Sequence, residues 1–216
     1  MTPAFSIRAD LYRVACRFAA MTEGVRVEPA DKGAILVAST PAAAFIAYDF
    51  TAIAPATAQL RVPQEFLQAM AGAVRAAAQP GSVRLRVTRE GQAQCDNVAI
   101  AAARCLAAPA ADRWREIARD RVRVHMQAVA LELRRDVCAD IAEAAQQLAR
   151  AAGRRPHDAE QASFVIQSGV NDGLVVTFPD FPEAVVIIPN GKGGPNAQAA
   201  AWEAPDWLDR HEGAAA

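Results

Sequence analysis

The sequence predicts an α+β fold built from strand–helix–strands units. Short segments in which apolar and polar residues alternate with period two are bounded by Gly, Pro and Asp, which is strand and turn chemistry. Between them lie a few segments whose apolar residues recur at helical spacing. The order strand, helix, strands then returns along the chain. At 216 residues there is room for one large or two small domains with real cores.

The elements follow in order. Arg8 to Ala20 places Leu11, Ala15, Phe18 and Ala19 on one helical face and Arg8, Arg13 and Arg17 largely on the other, so a first helix is expected there. GVRVEPADKGAILVAS reads as a hairpin: Val25 and Val27 alternate with Arg26 and Glu28, Ala30 to Gly33 turns, and Ile35 to Ala38 returns as a more buried strand. AAAFIAYDF is β-compatible, and Gln59 to Val62 is a short strand. Pro63 suits a first helical position, with Phe66, Leu67, Met70 and Val74 following at helical spacing until Pro80-Gly81 ends the run. Val83, Leu85 and Val87 then alternate with Arg84, Arg86 and Thr88, and Val98 to Ala101 is a further strand after a turn at Glu90-Gly91.

A polar stretch, AAPAADRWREIARDR, reads as a linker, after which the order repeats. AVALELR is a strand, and Asp136 is placed to cap a helix holding Val137, Ile141, Ala144, Ala145 and Leu148. ASFVIQS, LVVTF and AVVII are strands, with a turn at Gly169 to Gly173. The expected organisation is residues 1–112 as a domain of two units, 113–192 as linker plus a C-terminal unit, and 193–216 as a mobile tail.

Charge and chemistry narrow the function. Net charge is −1, from 23 basic and 24 acidic residues. This excludes a uniformly basic coat but not a basic inner face offset by an acidic outer one. Cys16, Cys95, Cys105 and Cys138 are far apart and lack zinc-ligand spacing, so they read as buried thiols of a reducing cytoplasm. No apolar run approaches a membrane span, and the start has no signal-peptide character. Gly191-Lys192-Gly193-Gly194 lacks phosphate-loop spacing, and Pro195 blocks the helix such a loop feeds. His125, His157 and His211 are isolated, and there is no G-x-S-x-G or H-E-x-x-H. No catalytic residue, metal site or cofactor is expected. Phe178-Pro179-Asp180-Phe181-Pro182 reads as a rigid hairpin connection, with a partner-docking tip as the lesser reading. Trp202, Trp207 and Leu208 form an acidic-aromatic patch in the tail.

In order and spacing these segments resemble the bacterial and phage DNA polymerase III β sliding clamp, a processivity factor. GVRVEPADKGAILVAS is similar to the clamp hairpin that returns into an "L-V-A-T-D-G-H-R-L" strand. LRVPQEFLQAM with VRLRV resembles a clamp strand ending in Val-Pro, its helix and the next strand, and DRWREIARD resembles the clamp's connector. AVVIIPNG is similar to the terminal "V-V-M-P-M-R". The likeness spans roughly residues 20–191.

The resemblance implies antiparallel sheets on the outside, helices on the inside, and like copies joined along sheet edges around double-stranded DNA. Basic helix residues would then meet phosphate without reading sequence. The DNA-facing candidates it implies are Arg13, Arg17, Arg75, Arg150, Arg154 and Arg155. For a peptide groove that holds a polymerase or other replication protein, they are Ser39, Pro63, Val186 and Ile188. Two departures accompany the likeness. Where the clamp strand carries Asp, His and Arg, this chain has Ser39-Thr40-Pro41-Ala42-Ala43-Ala44. A bacterial clamp subunit also has three domains of two units each, whereas about three units fit here. A ring of such chains therefore needs more copies. The expectation is a cytoplasmic, homo-oligomeric clamp-like factor without enzymatic activity. The alternative is a small clamp-fold interaction or regulatory protein without DNA encirclement.

Overall fold

A computed structural model describes residues 3–19, 24–40, 43–54, 60–64, 66–67, 70, 83–88, 93–95, 98–100, 106–107, 131–132, 135–168, 174–188 and 192–193. Three units are visible. The first is β1 (Pro3–Arg8), α1 (Ala9–Ala15), a 3-10 turn (Cys16–Phe18), β2 (Val25–Pro29), β3 (Ala34–Ser39) and β4 (Ala44–Asp49). The second is β5 (Leu60–Val62), helical positions at Phe66, Leu67 and Met70, then β6 (Arg84–Thr88), β7 (Ala93–Cys95) and β8 (Val98–Ile100), followed by β9 (Leu106–Ala107). The third is β10 (Leu131–Glu132), α2 (Arg135–Ala151), α3 (Pro156–Ala159), β11 (Val165–Ser168), β12 (Leu174–Thr177) and β13 (Ala184–Ile188), followed by β14 (Lys192–Gly193).

All described strand pairs are antiparallel. One sheet runs β1-β6-β7-β8 and a larger one β11-β12-β13-β4-β3-β2-β5-β9. The third unit thus joins the first inside one chain, through Val185 beside Ile46 and Ile187 beside Ala44.

The first helix lies where it was expected, one residue later at its start, but a strand that was not expected precedes it: Phe5 and Ile7 alternate into the core at 0 % exposure while Ser6 and Arg8 face the other way along the β6 ladder. The helix begins only at Ala9, and Ala9, Asp10, Leu11, Tyr12, Val14 and Ala15 are all buried. The helix is thus enclosed on nearly every side, and Arg13 is its one half-buried residue. Asp136 lies one residue inside α2, in its first turn, not before it.

The hairpin turn is built as read. Gly33 adopts φ +101°, and a Cβ there would stand 2.2 Å from the Asp49 carbonyl oxygen, so only glycine fits. Its carbonyl accepts from the Ala30 N–H at 3.1 Å. The main core lies between the sheets and helices, with Phe18 stacked on Phe45 at 5.5 Å and α2 contributing Val137, Ile141, Ala144, Ala145 and Leu148. The opposite face of the large sheet is also apolar and buried: Ile35, Val37, Ile46, Val185 and Ile187 form a second cluster. The 178–182 turn connects β12 to β13, with Phe178 and Phe181 tucked into the core. Lys192 and Gly193 are strand residues on β10. Among the described residues no helix is long and apolar enough to cross a membrane. The tail's Trp202, Trp207 and Leu208, the linker, His125, His211 and Cys105 lie outside the described residues.

Candidate DNA-facing helices and partner groove

The helix layer decides where positive charge can meet a partner. On α2 the buried residues recur at helical spacing, so Asp136, Ala139, Ala142, Glu143 and Arg150 form the opposite, exposed face. The first half of that face is acidic. Arg17 reaches across from the 3-10 turn to ion-pair with Glu143 and stands 3.9 Å from Asp140. Partial burial, with Asp136 and Glu143 nearby, raises the Asp140 pKa, and Arg17 works against that rise. Arg17 is therefore already engaged within the molecule.

The basic end is the C-terminal one. Arg150 closes α2, and Arg154 and Arg155 follow within one turn, all three exposed. Arg154 pairs with Asp180. Positive side chains at a helix C-terminus also complement the dipole, so part of this cluster serves the fold. Arg13 on α1 is half-buried, and Arg75 lies outside the described residues.

The four groove candidates lie at one end of the large sheet but on two faces of it. Register runs Val62–Val25, Val25–Ala38 by extension of the Arg26–Val37 pair, Ser39–Ala44 and Ala44–Ile187. Pro63, Gly24, Ser39, Ala44 and Ile187 thus form one transverse row. Ser39 is exposed and Pro63 half-buried, and the Pro63 carbonyl accepts the Tyr12 hydroxyl. Gly24 keeps the row tight, since a Cβ there would stand 2.4 Å from the Val62 carbonyl oxygen.

Val186 and Ile188 point the other way, into the core with the helices, and Val186 has no exposed surface. The β13 residue of that row, which sequence reading missed, is Ile187, beside Ala44. The period-two alternation of β13 holds the signal, but an all-apolar AVVII run does not say which face is which. From β13 to β5 is four strand spacings, about 19 Å, so Ile188 and Pro63 lie at opposite ends of any shared surface.

Three cysteines are described, and their thiols have different surroundings. Cys16 and Cys95 are buried and Cys138 is half-buried on α2. Burial pushes the Cys16 thiol up to about 12, with a hydrogen bond to Tyr12 acting against it. His157 is exposed beside Asp158. Among the described residues no group of three His, Cys, Asp or Glu is placed to hold a metal ion.

No protein-family model matches the chain, and no curated protein sequence matches it. Solved structures do. The beta clamp of H. pylori, in complex with 5-chloroisatin, superposes with a TM-score of 0.52 at 6% identity, covering 90% of this chain and 68% of that one. The DNA polymerase III beta subunit of Thermotoga maritima gives 0.49 at 10% identity, over 86% and 64%. A putative DNA polymerase III beta subunit of Eubacterium rectale gives 0.47 at 10% identity, over 90% and 66%. The chain spans just under two thirds of the last two. The antiparallel sheets and helices of this molecule thus have the β-sliding-clamp fold, at 6% sequence identity to the H. pylori clamp.

Proposed function

We propose that this chain is a subunit of a clamp-like assembly that holds replication proteins on double-stranded DNA without reading its sequence. The observation that carries the reading is the likeness to the H. pylori clamp over 90% of the chain, together with helices α1 and α2 gathered on one side of the long sheet. In such an assembly the helices face DNA, and strand edges join one copy to the next.

Arg13, Arg17, Arg75, Arg150, Arg154 and Arg155 are the proposed phosphate-facing groups. Arg150 and Arg155 lead, because Arg17 and Arg154 are already paired with carboxylates. Loose contact suits sliding, since counterion release supplies affinity without fixing position. The sheet end at Ser39 and Pro63 is the proposed docking place for a polymerase or another replication protein. Val186 and Ile188 support that end of the sheet from its core face.

The test is topological. Protein loaded at low salt onto closed circular duplex, then moved to high salt, stays bound until a restriction cut opens the circle. Equal loss from circular and linear DNA of the same sequence overturns the reading. Arg150→Glu with Arg155→Glu lowers affinity on every sequence alike. The salt slope of log affinity falls by about 2, close to one per phosphate contact removed.

A further inference from the structure

The helix side of the third unit carries a charge gradient. Asp140, Glu143, Gln147 and Arg150 follow one another at helical spacing along α2 and so form one stripe. Glu143 and Arg150 are exposed, and Asp140 and Gln147 are half-buried. The stripe runs from acid through neutral to base. At the rise of a helix Asp140 and Arg150 stand about 15 Å apart along the axis. Exposed charges at physiological salt act over only about 8 Å. The acidic end therefore does not neutralise Arg150; it acts on what lies beside it.

What lies beside it is Arg17. α1 packs on α2, and the 3-10 turn after α1 brings the Arg17 guanidinium to both carboxylates, ion-paired with Glu143 and 3.9 Å from Asp140. The Gln147 side-chain amide donates to Glu143 at 3.0 Å and fixes its carboxylate there. The side chains of Arg17, Asp140 and Glu143 are 27%, 39% and 47% exposed. A pair this open to water adds little to the stability of a fold. The arrangement recurs at the other end of α2, where Arg154 pairs with Asp180 of the turn between β12 and β13. In both places an arginine on the helix side is held by a carboxylate from a different element. Such an arginine must give up its partner before it can neutralise a phosphate.

We propose that Asp140 and Glu143 restrain Arg17, and Asp180 restrains Arg154, so that neither arginine makes a full phosphate contact and the grip on a duplex stays loose. The inference rests on the DNA reading above and names the residues that limit its affinity. These carboxylates are positioning residues: they act on phosphate only through the arginines they hold. Releasing one arginine adds one contact, and the salt slope of log affinity counts contacts at close to one each.

Salt titration of duplex affinity with the full chain is the test. Asp140→Asn with Glu143→Gln keeps side-chain size and removes the charge. Affinity rises about threefold, and the slope steepens by about 1. Adding Arg17→Gln returns the slope to that of wild type. Asp180→Asn gives the corresponding rise, which Arg154→Gln removes. The Arg17 arm decides, because its carboxylates are open to solvent and circular dichroism of the variant stays as in wild type. An unchanged slope in the Asp140→Asn, Glu143→Gln variant, or a steeper one that persists without Arg17, overturns this proposal and leaves the DNA reading standing. A wild-type chain with no salt-dependent affinity for duplex overturns both.

Discussion

Two junctions among the described residues both bury hydrocarbon, but the one between the first and second units adds a buried polar cluster. The first and second units meet at a buried polar cluster. The Asp49 carboxylate accepts the Arg8 backbone N–H at 2.7 Å, the Thr51 N–H at 3.0 Å and the Thr51 hydroxyl at 2.7 Å. Arg84 lies 3.7 Å from it and donates to the Ser6 and Thr51 carbonyls. The first and third units meet along hydrocarbon: β4 against β13, with Ile46 beside Val185 on one face and Phe45 beside Val186 on the other. The polar joint is directional, so it sets one register and one angle. The apolar joint is tolerant of detail but gains from area, and alternation alone sets its register.

Arg8 links the two. It donates to Asp10 and to the Ala151 carbonyl at the end of α2, and its guanidinium lies 5.4 Å from the centre of the Phe181 ring. Burial opposes its charge, but Asp10, Asp49 and Glu183 outweigh that and hold it firmly protonated.

The contrast ranks the effects of breaking each joint. Asp49→Ala removes the acceptor from a buried guanidinium and three donors, and costs about 3–5 kcal/mol, read by urea unfolding. Ile46→Ala opens a void in the apolar joint, and about 2–4 kcal/mol is lost. A tolerant joint can relax around it, so the loss falls below that of Asp49→Ala. A reversed order would show that the sheet joint, not the polar cluster, sets stability. Arg8→Met keeps the stem and removes the link, at about 1–2 kcal/mol, with Asp10→Asn in the same background restoring part by removing a stranded charge. The smallest effect lies at the surface. Because the folded Asp140 pKa is raised, the native state holds more proton than the unfolded chain just above the ordinary carboxylate range. Stability therefore falls as pH rises through that window. Asp140→Asn flattens the slope there and changes stability by no more than about 0.5 kcal/mol elsewhere.

Much of the fold was legible because β2 to β4 and β11 to β13 are short alternating runs with turn residues between them, and because α2 carries one clean apolar face. β1 was hidden. Phe5-Ser6-Ile7-Arg8 alternates, but it runs without a break into a helix with no polar stripe. The polar cluster was also invisible, since Asp49, Arg84 and Arg8 are distant in sequence and meet only through strand exchange. For the site, residue types were readable and faces were not. Arg17 looks like a free helix arginine until Glu143 arrives from another unit. Val186 looks like a groove wall until β13 is turned so that Ile187 shares the face of Ala44.

That the third unit is built into the same sheet as the first is the claim on which both function and assembly depend. Native-state hydrogen exchange measures it directly. Amides of residues 44–47 and 184–187 that bond across β4 and β13 should exchange together, at the slow rate of global unfolding. If those of 184–187 exchange far faster, as in a hairpin that opens by itself, the continuous sheet is contradicted.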